Sequence, residues 1–478
     1  MGDLGSKLER EMARAARERQ KIISVLREPS DPVPTYIDFR PLAHITEEHR
    51  HIIYSARFCD VLPAYYNYFA SVSSTAARIY CIDEPHSADG VRLPATVRLV
   101  QAFADDLYPT GSEEDNYCST WATKNDDGTV PMLLFAGKKS CIKGMLLQPP
   151  FSVGTLLVGH GNEVYDLKTH PLQSWIVFSA SKDCSVRMWN AATSVCVAIF
   201  SGIEGHKEMV LCLDCHPKGD VLASVGGDRS VRLWNIASPE ITQAIRASDT
   251  HPRGQHGNSN FSPLTVQVPL FWTNLIHNSF IDSVKWVGNL LLTRCNNEPV
   301  LLWAPDSTRY SNFGMNVADG SCVIPKAYAK LREFLLPNHR FWSGPNIDYC
   351  APLDIFSVGN DDGRIFLHCL TDAAEVPSNR QRPKQSSSSS SSSSRDKTNT
   401  ANVKMNAADS DGDMNNRVPE KPRAVLKGGN PNKYEKDKDA GTTRCTSFHF
   451  LGKFLVTAHD TSGGKGSCIN VWEIIGKS

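Results

Sequence analysis

The sequence has no apolar run of the roughly 18 residues that a membrane-spanning helix needs. Its first thirty residues are charged and lack the apolar core of a secretory leader. These absences lead to the expectation of a soluble, intracellular protein with no membrane partner and reduced thiols. A net charge is missing too: 51 basic and 51 acidic residues cancel. Without a global field, no sequence-specific nucleic-acid binding is expected, and basic residues interleaved with aromatics, the pattern that holds single strands, do not occur. Phosphate-loop, dinucleotide, zinc-protease and nucleophile-elbow motifs are all absent. No catalytic residue, metal or cofactor is therefore expected, and the chain reads as a binding protein rather than an enzyme. The 14 cysteines are scattered through apolar segments. Cys212 and Cys215 spell a C-x-x-C, but no second pair accompanies them, so they read as buried, inert thiols.

Repetition is what the sequence does have. One unit runs from Gly159-His160 through Thr169-His170-Pro171 to Ser181-Lys182-Asp183 and Trp189-Asn190. The next runs from Gly205-His206 through Cys215-His216-Pro217 to Gly227-Asp228 and Trp234-Asn235. This is the WD-repeat pattern. In each unit short apolar runs supply buried strands. Asp183 and Asp228 sit in tight turns, from which they can bond to His160 and His206 and, through a hydroxyl, reach Trp189 and Trp234. Such a satisfied network fixes blade geometry, so these six residues are expected to be structural. Five weaker units follow the same outline: 54–82, 117–145, 280–303, 342–370 and 444–472. Seven blades make a closed ring. The expected fold is an all-β, seven-bladed WD-repeat propeller over 41–475. A charged N-terminal extension (1–40), partly helical or disordered, precedes it. A serine-rich insertion (376–440), too polar to fold by burial, separates blades six and seven. Residues 237–279 form a long polar stretch.

In a propeller every innermost strand starts from the same face. Residues at one fixed offset therefore ring the channel mouth. Counting four back from Phe58, Trp121, Thr169, Cys215, Trp286 and Phe448 gives Tyr54, Tyr117, Tyr165, Leu211, Asp282 and Arg444. Trp342, with Phe341 beside it, is the candidate in the sixth blade. Aromatic faces attract a soft cation, and a box of them suits methylated lysine. Packing of the mouth, or contact with another protein, are the alternative uses of the same tyrosines.

Several stretches together resemble one family. They are Gly159-His160-Gly161-Asn162, Ser181-Lys182-Asp183, Val197-Ala198-Ile199-Phe200-Ser201-Gly202-Ile203-Glu204-Gly205-His206, Asp282-Ser283-Val284-Lys285-Trp286 and Thr443 to Phe448. The family is the Polycomb WD-repeat subunit of the extra sex combs and embryonic ectoderm development type. The resemblance covers roughly 45–475. It implies a nuclear, non-catalytic core subunit of Polycomb repressive complex 2, acting in transcriptional repression. The implied partners are a SET-domain histone methyltransferase of the Enhancer of zeste type, the histone H3 tail and the other subunits of that complex. It also implies recognition of trimethylated lysine 27 of histone H3 by Tyr54, Tyr117, Phe341 and Trp342. Lys182, Asp282, Arg444 and Tyr165 would surround that cage. A generic WD-repeat adaptor, such as a ubiquitin-ligase substrate receptor, is the alternative expectation.

Overall fold

The apolar runs Ile176–Ser181 and Val221–Gly226 are buried along their whole length, as expected for short strands covered on both faces. They are second strands of two adjacent blades in a computed structural model of the chain. The model describes residues 36–47, 51–74, 76–87, 90–104, 115–124, 130–148, 153–251, 261–296, 298–305, 328–337, 347–370, 420–422, 424–427, 440–461 and 466–477. These residues build seven sheets, one per blade, antiparallel except for one added strand. The innermost strands are Ile53–Phe58, Asn116–Thr123, Val164–Thr169, Val210–Cys215, Ile281–Val287, Asp348–Cys350 and Ala440–Phe448. Each touches the next, and the last touches the first, so the ring is closed around a channel. The expected propeller is the observed fold.

The ring is fastened by the chain's own beginning. Tyr36–Thr46 pairs antiparallel with Ser467–Lys477 and forms the outer strand of blade seven. The extension expected over 1–40 therefore stops before Tyr36, and residues 1–35 lie outside the described ones. Likewise the span 376–440 is not a single insertion. Most of it lies outside the described residues, but Ala424–Lys427 is the outer strand of blade six, paired with Arg364–Cys369.

The polar stretch from 237 also holds structure. Helix α1 (Pro239–Asp249) starts at Ser238, whose Oγ accepts from Ile241 N, with proline in its first turn, two ordinary start signals. It buries Ile241 and Ile245 in the core shared by blades three and four. Beyond it, Leu264–Val266 joins blade three as a fifth strand, parallel to Val195–Phe200. Phe271–Thr273 then completes blade four.

The buried networks recur with changing letters. In blade three, His160 Nδ1 lies 2.8 Å from Asp183, and its Nε2 lies 2.6 Å from Ser179 Oγ. That oxygen also accepts from Trp189 Nε1 at 2.8 Å. Blade four repeats this with His206, Asp228, Ser224 and Trp234. Blade five uses His277, Thr293 and Trp303, with Glu298 in the aspartate's place. In blade one Glu47 stands at the centre, accepting from Ser71 and Tyr80 and pairing with Arg78. In blade six His368 fills the tryptophan slot and stacks on Phe356 at 4.9 Å.

Candidate functional site

The inner strands share a defect that places the site. In six of them the ladder skips one residue near the strand's start. The skipped residues are Tyr54, Tyr117, Tyr165, Leu211, Asp282 and Arg444. A skipped residue is a β-bulge, which has no partner in the ladder and re-aims its side chain. Each of the six is half-buried between two buried neighbours. These are the residues that the fixed offset selects. Opposite two of the bulges stand glycines: a Cβ on Gly226 would lie 2.2 Å from Met209 O, and one on Gly137 would lie 1.7 Å from Asp115 O. Only a residue without a side chain lets the bulged backbone come so close.

Three aromatics meet at this mouth. Tyr54 and Tyr117 pack edge to face with ring centroids 5.3 Å apart. Tyr165 stacks on Tyr117 at 6.0 Å and 23° between planes, covering one of its faces. Arg444, from blade seven, places its guanidinium 5.9 Å from the Tyr54 ring. Blades seven, one, two and three thus contribute adjacent members. Asp282 of blade five stands apart from them. Phe341 and Trp342, expected to complete the box, lie outside the described residues, as does the position four back from Tyr349, the sixth-blade residue aligned with the other anchors.

The charged residues described at the mouth are paired. Arg444 is held by Asp460 at 2.6 Å. Exposed Lys182 sits 3.1 Å from Glu163, which also accepts from the Tyr165 hydroxyl at 3.1 Å. Asp282 is clasped by Nε and Nη2 of the buried Arg294 side chain. An acid–base pair is what an enzyme would need here, and a carboxylate bound bidentately by arginine is instead a fixed structural ion pair. Burial raises the Tyr54 hydroxyl above its ordinary pKa, aided by Asp115. Burial and Glu163 do the same at Tyr165. Both phenols therefore stay neutral, and their rings are the available recognition surface.

A second ring lies lower in the channel, one residue before each anchor. It comprises Arg57, Thr120, Lys168, Asp214, Lys285, Asp348 and Ser447, all polar, and it borders a cavity of about 320 Å³. Lys285 bridges Asp348 at 3.2 Å and Asp214 at 3.6 Å. Arg57 and Lys168 share Asp166, at 3.5 and 4.0 Å. The carboxylates also staple blades together, since Asp166 accepts from Leu213 N, Asp214 from Trp286 N and Asp348 from Phe448 N. The sequence reading overlooked this ring, although the same anchors one position back give all of it except Asp348, whose anchor Tyr349 only the strand pairing identifies.

The other predicted residues are dispersed. His160, Asp183, Trp189, His206, Asp228 and Trp234 serve their blade networks. Burial would raise Asp183, but the bonds from His160, Ser185 and Gly161 N outweigh it and hold the carboxyl well below its usual range. Asp228 is held down in the same way by His206 and Arg232. Cys212 and Cys215 line different sides of one strand, and burial pushes both thiols up, Cys212 to about 12. His277, Cys295 and Glu298 come within metal-binding reach of one another. However, both nitrogens of His277 are already engaged by Glu298 and Thr293. No helix among the described residues is long and apolar enough to cross a membrane.

The model of the WD domain, G-beta repeat, matches residues 151–190 and 194–235. The chain is 28% identical over 271 residues to the Polycomb protein esc of Drosophila melanogaster, covering 57% of this chain and 60% of that protein. It is 30% identical over 321 residues to the Polycomb group protein FIE1 of Zea mays, covering 66% and 62%. The chain is thus similar to the Polycomb WD-repeat proteins of the esc type. It spans about three-fifths of the length of these two relatives. The propeller also superposes on a chain of Polycomb repressive complex 2 from Chaetomium thermophilum, in complex with H3K27me3. The TM-score is 0.64 at 18% identity, covering 93% of this chain and 99% of the other. That likeness bears on the fold.

Proposed function

We propose that this esc-type propeller is a non-catalytic core subunit of a Polycomb-type histone methyltransferase complex, and that it reads trimethylated lysine 27 of histone H3 at the bulged mouth. The reading is carried by the Tyr54–Tyr117 pair, whose ring faces stand half-exposed beside charges that are already neutralised. A trimethylammonium group cannot donate a hydrogen bond, so flat electron-rich faces must hold it. Phe341 and Trp342 would supply the remaining walls. Tyr165 braces Tyr117 from behind, while Lys182, Arg444 and Asp282 border the entry. The SET-domain methyltransferase, of Enhancer of zeste type, would sit on the opposite face, with the other subunits around it. Binding of the mark would be passed on as stimulation of methylation, in the nucleus, for transcriptional repression.

Calorimetric titration with histone H3 tail peptides tests this reading. The trimethyl peptide should bind and the unmodified one should not. Tyr117→Ala should weaken the trimethyl peptide about five- to thirty-fold, the worth of one desolvated cation–π face. Equal affinity for both peptides, or an unchanged Tyr117→Ala protein, would refute the cage. Co-purification with a cullin adaptor in place of a methyltransferase would redirect the assignment to a ubiquitin-ligase receptor.

A further inference from the structure

The polar ring below the mouth holds three cations and two carboxylates, and Asp166 beside it supplies the third carboxylate, so the charges balance in total but not in place. On one side of the channel Lys285 lies between two carboxylates. On the other side two cations, Arg57 and Lys168, share the single carboxylate of Asp166, at 3.5 and 4.0 Å. Both distances exceed a hydrogen bond. Asp166 is moreover committed, accepting from Leu167 N and Leu213 N with its two oxygens. Arg57 Nε is buried and has no partner. The side chains of Arg57 and Lys168 are only 16% and 11% exposed, so water does little to compensate them. Two cations lacking short contacts therefore face a cavity of about 320 Å³, the lower end of the range for small-molecule sites. Its lining also includes the apolar surfaces of Pro171, Pro217, Tyr349 and Phe450, together with the exposed Asp60.

We propose that the channel end opposite the bulged mouth, on the face assigned above to the methyltransferase, is in the free chain a binding site for a small organic anion. The ligand would carry one carboxylate on a flat apolar body. The carboxylate would bridge the Arg57 guanidinium and the Lys168 ammonium, supplying the short charge-assisted bonds that Asp166 does not. The apolar body would lie against the proline and aromatic surfaces. Asp214 and Asp348 across the channel would repel a second anionic group, which selects monoanions. The site is distinct from the trimethyl-lysine site: Tyr54 and Arg57 are three residues apart on one strand, roughly 10 Å of strand length.

Benzoate is the probe, with benzyl alcohol and benzylamine as its neutral and cationic counterparts, each titrated into the full chain. Benzoate is expected to bind and the other two are not. Lys168→Met, which leaves the Arg57–Asp166 pair in place, should weaken benzoate about tenfold, the worth of one hydrogen bond to a charged group. Tyr117→Ala should leave benzoate binding unchanged. On the unaltered chain, an aryl-azide benzoate should crosslink to the strand ends around Lys168–Pro171 or Phe450, which needs no variant to fold. Equal binding of the three probes, no binding of benzoate, or crosslinking confined to other surfaces would overturn the proposal.

Discussion

Replacing Ser179 with alanine removes one oxygen and disconnects two buried groups. Ser179 is fully buried. Its Oγ accepts from Trp189 Nε1 at 2.8 Å and lies 2.6 Å from His160 Nε2. With His160 Nδ1 donating to Asp183, Nε2 is an acceptor and the serine hydroxyl is its donor. Alanine leaves the indole N–H and the imidazole nitrogen both unsatisfied, and no water can reach them. Each orphan costs about 1–3 kcal/mol, offset in part because the hydroxyl itself need no longer be desolvated, so the loss should be about 2–4 kcal/mol. Urea denaturation followed by tryptophan fluorescence measures it. The same substitution in a Trp189→Phe background strands only one group, so it should cost about 1 kcal/mol less. A cost below about 0.5 kcal/mol for Ser179→Ala, or strict additivity of the two substitutions, would refute the network argument.

Acid should loosen the ring. Burial lowers His368 and His449 to about 4 each, so the unfolded chain takes up protons first. Their contribution is complete above about pH 6.5 and is lost as pH falls toward 4, at most about 2 kcal/mol each at pH 5, and denaturation midpoints at pH 7 and 5 measure it. Arg294→Met leaves the Asp282 carboxylate unpaired and nearly buried, and should lower stability by about 3 kcal/mol. Adding Asp282→Asn should restore part of that, as read by thermal melting. Gly226→Ala drives a methyl group against Met209 O, 2.2 Å from its ideal position, and should cost about 1–3 kcal/mol in the same melts. Tyr165→Ala uncovers one face of Tyr117 and should weaken the trimethyl peptide about threefold, the lower end of a single aromatic contact, whereas Tyr165→Phe should leave it unchanged in calorimetry.

The blades were legible in the sequence where the buried network kept its familiar letters, as at His160, Asp183 and Trp189. They faded where the same geometry is built from other groups. Glu47 does in blade one what a histidine does elsewhere, and His368 occupies a tryptophan's place in blade six. Equivalent burial and equivalent hydrogen bonds do not require equivalent residues, so a pattern of letters under-reports them. The outer strand Ala424–Lys427 was hidden for a different reason. It is four residues long with Val425 exposed, and an outer strand with one solvated side carries little apolar signal. At the site, the fixed offset located Tyr54, Tyr117, Tyr165 and Arg444 on adjacent blades. It did not reveal that each sits on a bulge, because a bulge is set by the pairing of two strands and has no residue signature of its own. The partners of the charged residues, Asp460, Glu163 and Arg294, come from second strands and loops whose register only the folded sheet defines.

The bulges also bear on how such a mouth could change over generations. An ordinary strand position is bound to its cross-strand partner and to the face it buries, so altering it disturbs a neighbour. A skipped residue has no partner across the ladder. Tyrosine, leucine, aspartate and arginine all stand at this place in one molecule, above inner strands that keep the same register. Each of these six blades therefore offers one position whose side chain can be exchanged while the strand beneath it keeps its pairing. The lining of the entrance can drift toward a new ligand, one blade at a time, without passing through an unfolded ancestor.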